Sequence, residues 1–147
     1  MRPALFLDRD GVINVDRGYV GKQEDFEFIN GIFDLCRCFK QSGYLIFVVT
    51  NQSGIGRGYY TEQDFAKLTD WMCGVFNEQG VDIAKVYYCP ATPEENSPDR
   101  KPMPGMILRA AEEFGLDLSR SVLIGDSETD IRAGICAGVG INLLYCQ

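Results

Sequence analysis

Tyr44-Leu-Ile-Phe-Val-Val49 is an unbroken apolar run rich in aromatic and β-branched residues, and it stops at the polar pair Thr50-Asn51. A run of this length with no polar alternation suits a strand covered on both faces, which is the environment inside a parallel sheet. On its N-terminal side, Ile32, Leu35, Cys36 and Phe39 recur at helical spacing and end near Gly43. On its C-terminal side a helix is expected from Thr61, with Asp64 three residues later as an acidic capping-box variant. The stripe of that helix is Phe65, Leu68, Met72, Val75 and Phe76.

The alternation continues to both ends. Ala4-Leu-Phe-Leu7 is a short first strand and Ile83 to Cys89 a third. Pro104 and Gly115 bracket a third helix, Pro104 in its first turn. Ser121-Val-Leu-Ile124 is a fourth strand, a short helix covers roughly residues 129–137, and 139–145 is a fifth strand. Strands alternating with helices imply right-handed crossovers and an α/β fold, a doubly wound parallel sheet of Rossmann-like type. Residues 1–147 read as a single domain. Residues 12–30, with Gly18 and Gly21, are too long for a tight turn and read as a flap. Residues 90–104 carry five prolines, enough to order a loop through backbone restriction.

Composition narrows the chemistry. Net charge is −7, which disfavours nucleic acid as a partner. No apolar stretch reaches 18 residues, so no membrane span is expected. The six cysteines form no CxxC pair, and the chain enters its first strand directly after Met1-Arg2-Pro3. No signal peptide is expected, and the cysteines, with Cys36, Cys73 and Cys136 in apolar settings, read as buried thiols of a reducing cytoplasm. Histidine is absent. Ser-His and Cys-His nucleophiles are thereby excluded, and chemistry must run on carboxylates, lysine, hydroxyls, thiols or a metal held by oxygen.

In open parallel sheets, ligands bind beyond the carboxyl ends of the strands. Polar residues stand at three such ends: Asp8-Arg-Asp10-Gly11, Thr50-Asn51, and Gly125-Asp126-Ser-Glu-Thr-Asp130. The Asp8–Asp10 pair is either an Asp-Gly turn or two carboxylates sharing a small volume, one of them a proton carrier unless a cation intervenes. Asp126 and Asp130, one helical turn apart, are either helix caps or ligands facing the same way. Asp8, Asp126 and one backbone carbonyl would suit a hard ion such as Mg2+. The turn Asn51-Gln-Ser-Gly-Ile-Gly-Arg57 offers backbone donors and a guanidinium to anions. It matches neither GxxxxGK[ST] nor GxGxxG. Arg100-Lys101 is either a solvated pair or a further anion grip.

Asp8-x-Asp10-Gly11, Thr50-Asn51, Lys101-Pro102 and Gly125-Asp126-x-x-x-Asp130 resemble, in order and spacing, the four motifs of the haloacid dehalogenase superfamily of phosphatases. The match covers nearly the whole chain. Phe6-Leu-Asp-Arg-Asp-Gly11, Asn14-Val-Asp-Arg-Gly-Tyr-Val20, Asn51-Gln-Ser-Gly-Ile-Gly-Arg57 and Tyr87-Tyr-Cys-Pro90 are similar to the heptose-bisphosphate branch, with histidinol phosphatases the neighbouring branch. The resemblance implies a five-stranded sheet in the order 3-2-1-4-5 and no large cap domain. It implies Asp8 as the nucleophile that becomes an aspartyl phosphate and Asp10 as the acid and base. Mg2+ would sit on Asp8, the Asp10 carbonyl and Asp126. Thr50 and Lys101 would stabilise the transferring oxygens, and Asp130 would orient Lys101 or a metal-bound water. Asp16, Tyr19, Asn51, Gln52, Ser53, Arg57 and Arg100 would bind the rest of a small sugar phosphate.

The chain departs from that branch in one respect. Its relatives carry Cys-x-His followed by Cys-x-Cys before Arg-Lys-Pro. Here only Cys89 remains, Ala91 stands at the histidine position, and 96–99 hold no cysteine. One thiolate cannot make a structural zinc site, so no zinc is expected. A monomer is expected. Two alternatives stay open: a phosphatase for another small ester such as histidinol phosphate, or a receiver-like or inactive phosphate-binding domain. Arg57 and the Gly18-Tyr19 flap favour the heptose branch. Receivers spread their acid pair and phosphorylated aspartate over separate strands, whereas Asp8 and Asp10 follow one.

Overall fold

A computed structural model of the protein describes residues 1–146. Five strands are present among them: β1 (Ala4–Leu7), β2 (Leu45–Asn51), β3 (Ile83–Cys89), β4 (Val122–Gly125) and β5 (Ile141–Leu144). They form one sheet in the order β3-β2-β1-β4-β5, and every neighbouring pair is parallel. The helices are α1 (Ile32–Gln41), α2 (Ser53–Gly56), α3 (Glu62–Glu78), α4 (Gly105–Phe114) and α5 (Glu128–Ala137). No helix of the described residues is long and apolar enough to cross a membrane.

The double winding follows from the strand period of two. Leu5, Leu7, Ile46, Val48, Val122 and Ile124 point to one face and pack under Ile32 and Cys36 of α1 and Leu68, Met72 and Phe76 of α3. Ala4, Phe6, Phe47, Val49 and Leu123 point to the other, under Met106, Ile107 and Ala110 of α4 and Ala133 of α5. Phe6 and Phe47 stack across β1 and β2 with ring centroids 5.6 Å apart. Burial of each such ring contributes roughly 1.5–3 kcal/mol, so a Tyr44–Val49 run with no polar face is what a strand between two helical layers requires.

Most expected elements hold, with local differences, among them β5, which spans Ile141–Leu144 against the expected 139–145. β2 extends two residues beyond the apolar run, because Thr50 and Asn51 continue pairing with Tyr88 and Cys89. Pro104 is the N-cap of α4 rather than part of its first turn. Residues 53–56 close into the short helix α2 where only a turn was expected. Of the thiols expected to be buried, Cys36 and Cys89 are, Cys73 is half-buried, and Cys38, Cys136 and Cys146 are exposed, Cys136 because α5 packs through Asp130, Ala133 and Gly134 on a different side. The capping box at the start of α3 is complete: Thr61 Oγ1 accepts from the Asp64 amide at 3.0 Å, and Asp64 Oδ2 accepts from the Thr61 amide at 2.9 Å.

Residues 12–30 are more firmly seated than a free flap. Val12, Ile13, Val20, Phe26 and Ile29 are buried, and the Val15 amide donates to Glu27 O at 2.8 Å. Its exposed positions are the tip at residues 16–19 and the stretch 22–25, with 27 and 30.

Candidate active site

The register of the sheet brings the polar strand ends to one rim. Leu7 is level with Val48 on one side and Ile124 on the other. The residues immediately beyond, Asp8, Thr50-Asn51 and Asp126, therefore emerge together at the carboxyl edge. A polar cleft of about 460 Å³ opens there, walled by Asp8, Asp10, Asp16, Tyr19, Asn51, Gln52, Ser53, Lys101, Asp126 and Asp130, with Tyr60 in addition.

Lys101 is the hub of one half. It is 4% exposed, and its Nζ donates to Asp8 Oδ1 at 2.9 Å and to Val49 O at 2.9 Å, while lying 2.5 Å from Asp130 Oδ1. Asp130 serves two tasks, because its Oδ2 also accepts from the amides of Asp126 and Ser127, both at 3.2 Å, at the start of α5. The capping and the functional readings of Asp130 are thus one arrangement. Carboxylate oxygens of Asp8, Asp126 and Asp130 lie within 4.8 Å of one another. Gly11 makes this possible: its φ is +93°, and a Cβ there would sit 2.5 Å from Asp126 Cγ.

Electrostatics push the pKa values of the site's carboxyls apart. Burial drives the Asp8 carboxyl well above the ordinary carboxylate range; Lys101 opposes this, and Asp130 and Asp10 add to it. Burial also raises Asp126. Asp130 is lowered against its own burial, because Lys101 and Ser127 hold it as an anion. Lys101 is raised in turn, its two acid partners outweighing the cost of burial. One ammonium faces three clustered acids, which leaves an excess of negative charge and free carboxylate oxygens. That donor set fits a hard divalent cation such as Mg2+.

The other half of the cleft holds Asp10, whose carboxylate meets three donors. Arg9 Nη2 reaches both oxygens at 3.0 and 3.2 Å, Asn14 Nδ2 donates to Oδ1 at 2.9 Å, and Gln52 Nε2 donates to Oδ2 at 3.1 Å. Arg9 is 1% exposed, lies over the Phe26 and Phe65 rings, and also donates to Val20 O at 2.6 Å. Arg9, Asn14 and Tyr60 were not singled out from the sequence. An arginine flanked by two aspartates carries no sign that it is buried, and Asn14 and Tyr60 acquire their partners only when distant segments meet.

The remaining candidates divide. Asp16, Tyr19, Asn51, Gln52 and Ser53 border the cleft, whereas Thr50, Arg57 and Arg100 do not. Thr50 is buried, and its hydroxyl accepts from Gln52 Nε2 at 2.9 Å. Arg57 stands over the Tyr19 ring at 5.8 Å, and Tyr19 packs edge-on against Tyr59, so the flap tip is seated on the turn after α2. Arg100 donates to Ala91 O at 3.0 Å and lines a neighbouring cavity with Pro93, Asn96, Ser97 and Met103.

Known proteins bear on this geometry. A HAD-hydrolase-like family model matches residues 99–144. D-glycero-alpha-D-manno-heptose-1,7-bisphosphate 7-phosphatase of Burkholderia mallei is 57% identical over 98% of this chain and 80% of its own length. D-glycero-beta-D-manno-heptose-1,7-bisphosphate 7-phosphatase of Helicobacter pylori strain J99 is 52% identical over 98% and 83%. Among solved structures, the D,D-heptose 1,7-bisphosphate phosphatase of B. bronchiseptica, complexed with magnesium and phosphate, superposes with a TM-score of 0.90. It is 29% identical over 96% of this chain and 79% of that one. With relatives this similar along nearly its whole length, the chain belongs to the heptose-1,7-bisphosphate 7-phosphatase family of HAD-like hydrolases.

Proposed function

We propose that the chain is a Mg2+-dependent phosphatase that removes the 7-phosphate of a D-glycero-D-manno-heptose 1,7-bisphosphate. The observation that carries this reading is the placement of Asp8 beside Lys101 and within reach of Asp126 and Asp130 at the floor of a polar cleft. An Asp8 oxygen attacks phosphorus, the bond to the sugar oxygen breaks, and an aspartyl phosphate results. Asp10 gives a proton to the departing sugar oxygen and then takes one from the water that cleaves the acyl phosphate, which restores Asp8 and releases phosphate.

Lys101 neutralises charge on the transferring oxygens, and Asp130 holds its ammonium in place. Thr50 is assigned to the same task, its hydroxyl anchoring the Gln52 amide that borders the cleft. Mg2+ bound by Asp8, Asp126 and the Asp10 carbonyl would favour the anionic form of Asp8 against the burial that raises its carboxyl. Asp16, Tyr19 and Ser53 recognise the sugar from the cleft wall, where Asn51 and Gln52 hold Lys101 and Asp10 in place. Arg57 and Arg100, just outside it, are suited to the second phosphate.

The reading includes no zinc. Loop 90–104 is tied by its own groups and by α4 instead. Thr92 and Glu95 form a capping box, Arg109 forks onto both oxygens of Asp99 at 2.7 and 2.6 Å, and Arg100 reaches Ala91 O. It also includes a monomer and, on the cysteine usage of the sequence, a cytoplasmic setting.

The test is phosphate release with and without Mg2+ on both anomers of the heptose bisphosphate, other sugar phosphates, histidinol phosphate and a small aryl phosphate. Preferred, multiple-turnover hydrolysis of a heptose bisphosphate is expected. Preference for histidinol phosphate would reassign the substrate, and a single stable phosphorylation of Asp8 would make the chain receiver-like.

A further inference from the structure

We infer that Tyr60 and Gln52 are positioning residues for Asp10, with the Tyr60 hydroxyl fixing which end of the Gln52 amide faces that carboxylate. The inference rests on Asp10 acting as the proton donor in the reaction proposed above.

A side-chain amide can present either its oxygen or its NH2 group to a neighbour, and the two choices differ sharply when the neighbour is a carboxylate. Here Tyr60 donates its O–H to Gln52 Oε1, so Nε2 is the end left for Asp10 Oδ2 at 3.1 Å and Thr50 Oγ1 at 2.9 Å. A flipped amide would set oxygen against the Asp10 carboxylate and leave the tyrosine donor without its acceptor. Gln52 and Tyr60 are both buried, so each lost partner is costly. Burial pushes the Tyr60 hydroxyl up to about 12, so it stays a donor throughout the neutral range.

The surroundings admit Tyr60 through two glycines. A Cβ on Gly21 would come within 2.7 Å of its ring, and one on Gly54 would also collide with it. Gly21 belongs to the flap segment and Gly54 to α2, so the ring is wedged between the two segments that flank the cleft. The Thr61 capping box fixes the chain immediately after it. A side chain held this tightly is suited to orienting its hydrogen-bond partner.

The reaction supplies a readout that packing alone would not move. A sugar alkoxide leaves poorly without a proton, whereas a nitrophenolate leaves without one at neutral pH. Misplacing the proton donor therefore slows the first step for a sugar phosphate and spares it for p-nitrophenyl phosphate. The experiment measures kcat/KM of Tyr60→Phe and Gln52→Met on both substrates, with Asp10→Asn as the reference and circular dichroism as the check of folding. Tyr60→Phe is expected to lose about tenfold on the sugar phosphate and less than about twofold on the aryl ester, mainly in kcat. Gln52→Met is expected to show the same selective loss, which keeps the test open should either variant fold poorly. Equal losses on both substrates, or a rise in KM alone, would overturn the inference in favour of packing or direct substrate contact. If Asp10→Asn itself shows no leaving-group selectivity, the role of Asp10 falls. If Asp10→Asn is selective and the other two are not, only the positioning role falls.

Discussion

The side-chain amide of Asn51 grips the peptide of Lys101 at both ends: Nδ2 donates to Lys101 O at 3.2 Å, and the Lys101 amide donates to Oδ1 at 3.0 Å. Asn51 is thus the clasp between the end of β2 and a loop fifty positions downstream. It holds the backbone from which the ammonium reaches Asp8. Asn51→Asp keeps the acceptor and turns the donor end into a second oxygen facing a carbonyl. Since displacement of a reacting group by about 1 Å can cost about 100-fold, Asn51→Asp should lower kcat/KM by that order. Steady-state kinetics check this, and a loss confined to KM would return Asn51 to simple substrate binding.

Asp8→Asn removes the attacking oxygen while keeping a side chain of the same shape. The Asp8 carboxyl is disfavoured as an anion by its burial, and Lys101 keeps Asp130 as a partner. Turnover should therefore fall by about 10⁴-fold or more, with the thermal midpoint lowered by no more than a few degrees. Phosphate-release assays and thermal unfolding measure the two separately. Residual activity within about tenfold of the wild type would exclude Asp8 as the nucleophile.

How far these features were legible in the sequence depends on how local they are. The Tyr44–Val49 run identified β2 and its two-sided cover because burial on both faces is written into consecutive residues. The strand-end acids Asp8 and Asp126 were legible because a parallel sheet sends every strand end to one rim. Arg9 was not, since its fate turns on Phe26, Phe65 and Val20 closing around it. Arg57 reads as a substrate grip from its place in the turn after β2 and from the resemblance, and its neighbour in the fold is Tyr19. Asp130 was legible as a cap and, through the resemblance, as a partner of Lys101, but only the fold shows one carboxylate doing both, Oδ1 facing Lys101 and Oδ2 the α5 amides.

The capping box of α3 predicts a defined pH response. Hydrogen bonds from Thr61 hold the exposed Asp64 carboxyl below its ordinary value. A carboxyl lowered in the folded state contributes stability that is fully present above its unfolded pKa and is lost as pH falls through the folded one. The stability gap between wild type and Asp64→Asn should accordingly be constant near neutrality and close on acidification below about pH 4. Thr61→Ala should cost about 1 kcal/mol at neutral pH. Denaturant titrations over a pH series measure both, and a gap that widens towards acid would contradict the box.

Loop 90–104 predicts how the enzyme responds to metal removal. Its order is attributed to Asp99–Arg109, Arg100 to Ala91 O and the prolines; the loop holds no cysteine, and Cys89 just before it is the one nearby thiol. Purified protein should therefore carry no stoichiometric zinc by elemental analysis. Activity removed by a chelator should return with Mg2+ alone, without refolding. The Asp99–Arg109 pair is partly exposed, so Arg109→Ala should cost no more than about 1 kcal/mol of stability. Its effect on catalysis should be larger, because Asp99 lies two residues before Lys101: a drop of several-fold in kcat/KM for the bisphosphate, with Arg109→Lys intermediate. One tightly held zinc per chain, or an unchanged kcat/KM in Arg109→Ala, would show that the loop is ordered by something other than this ion pair.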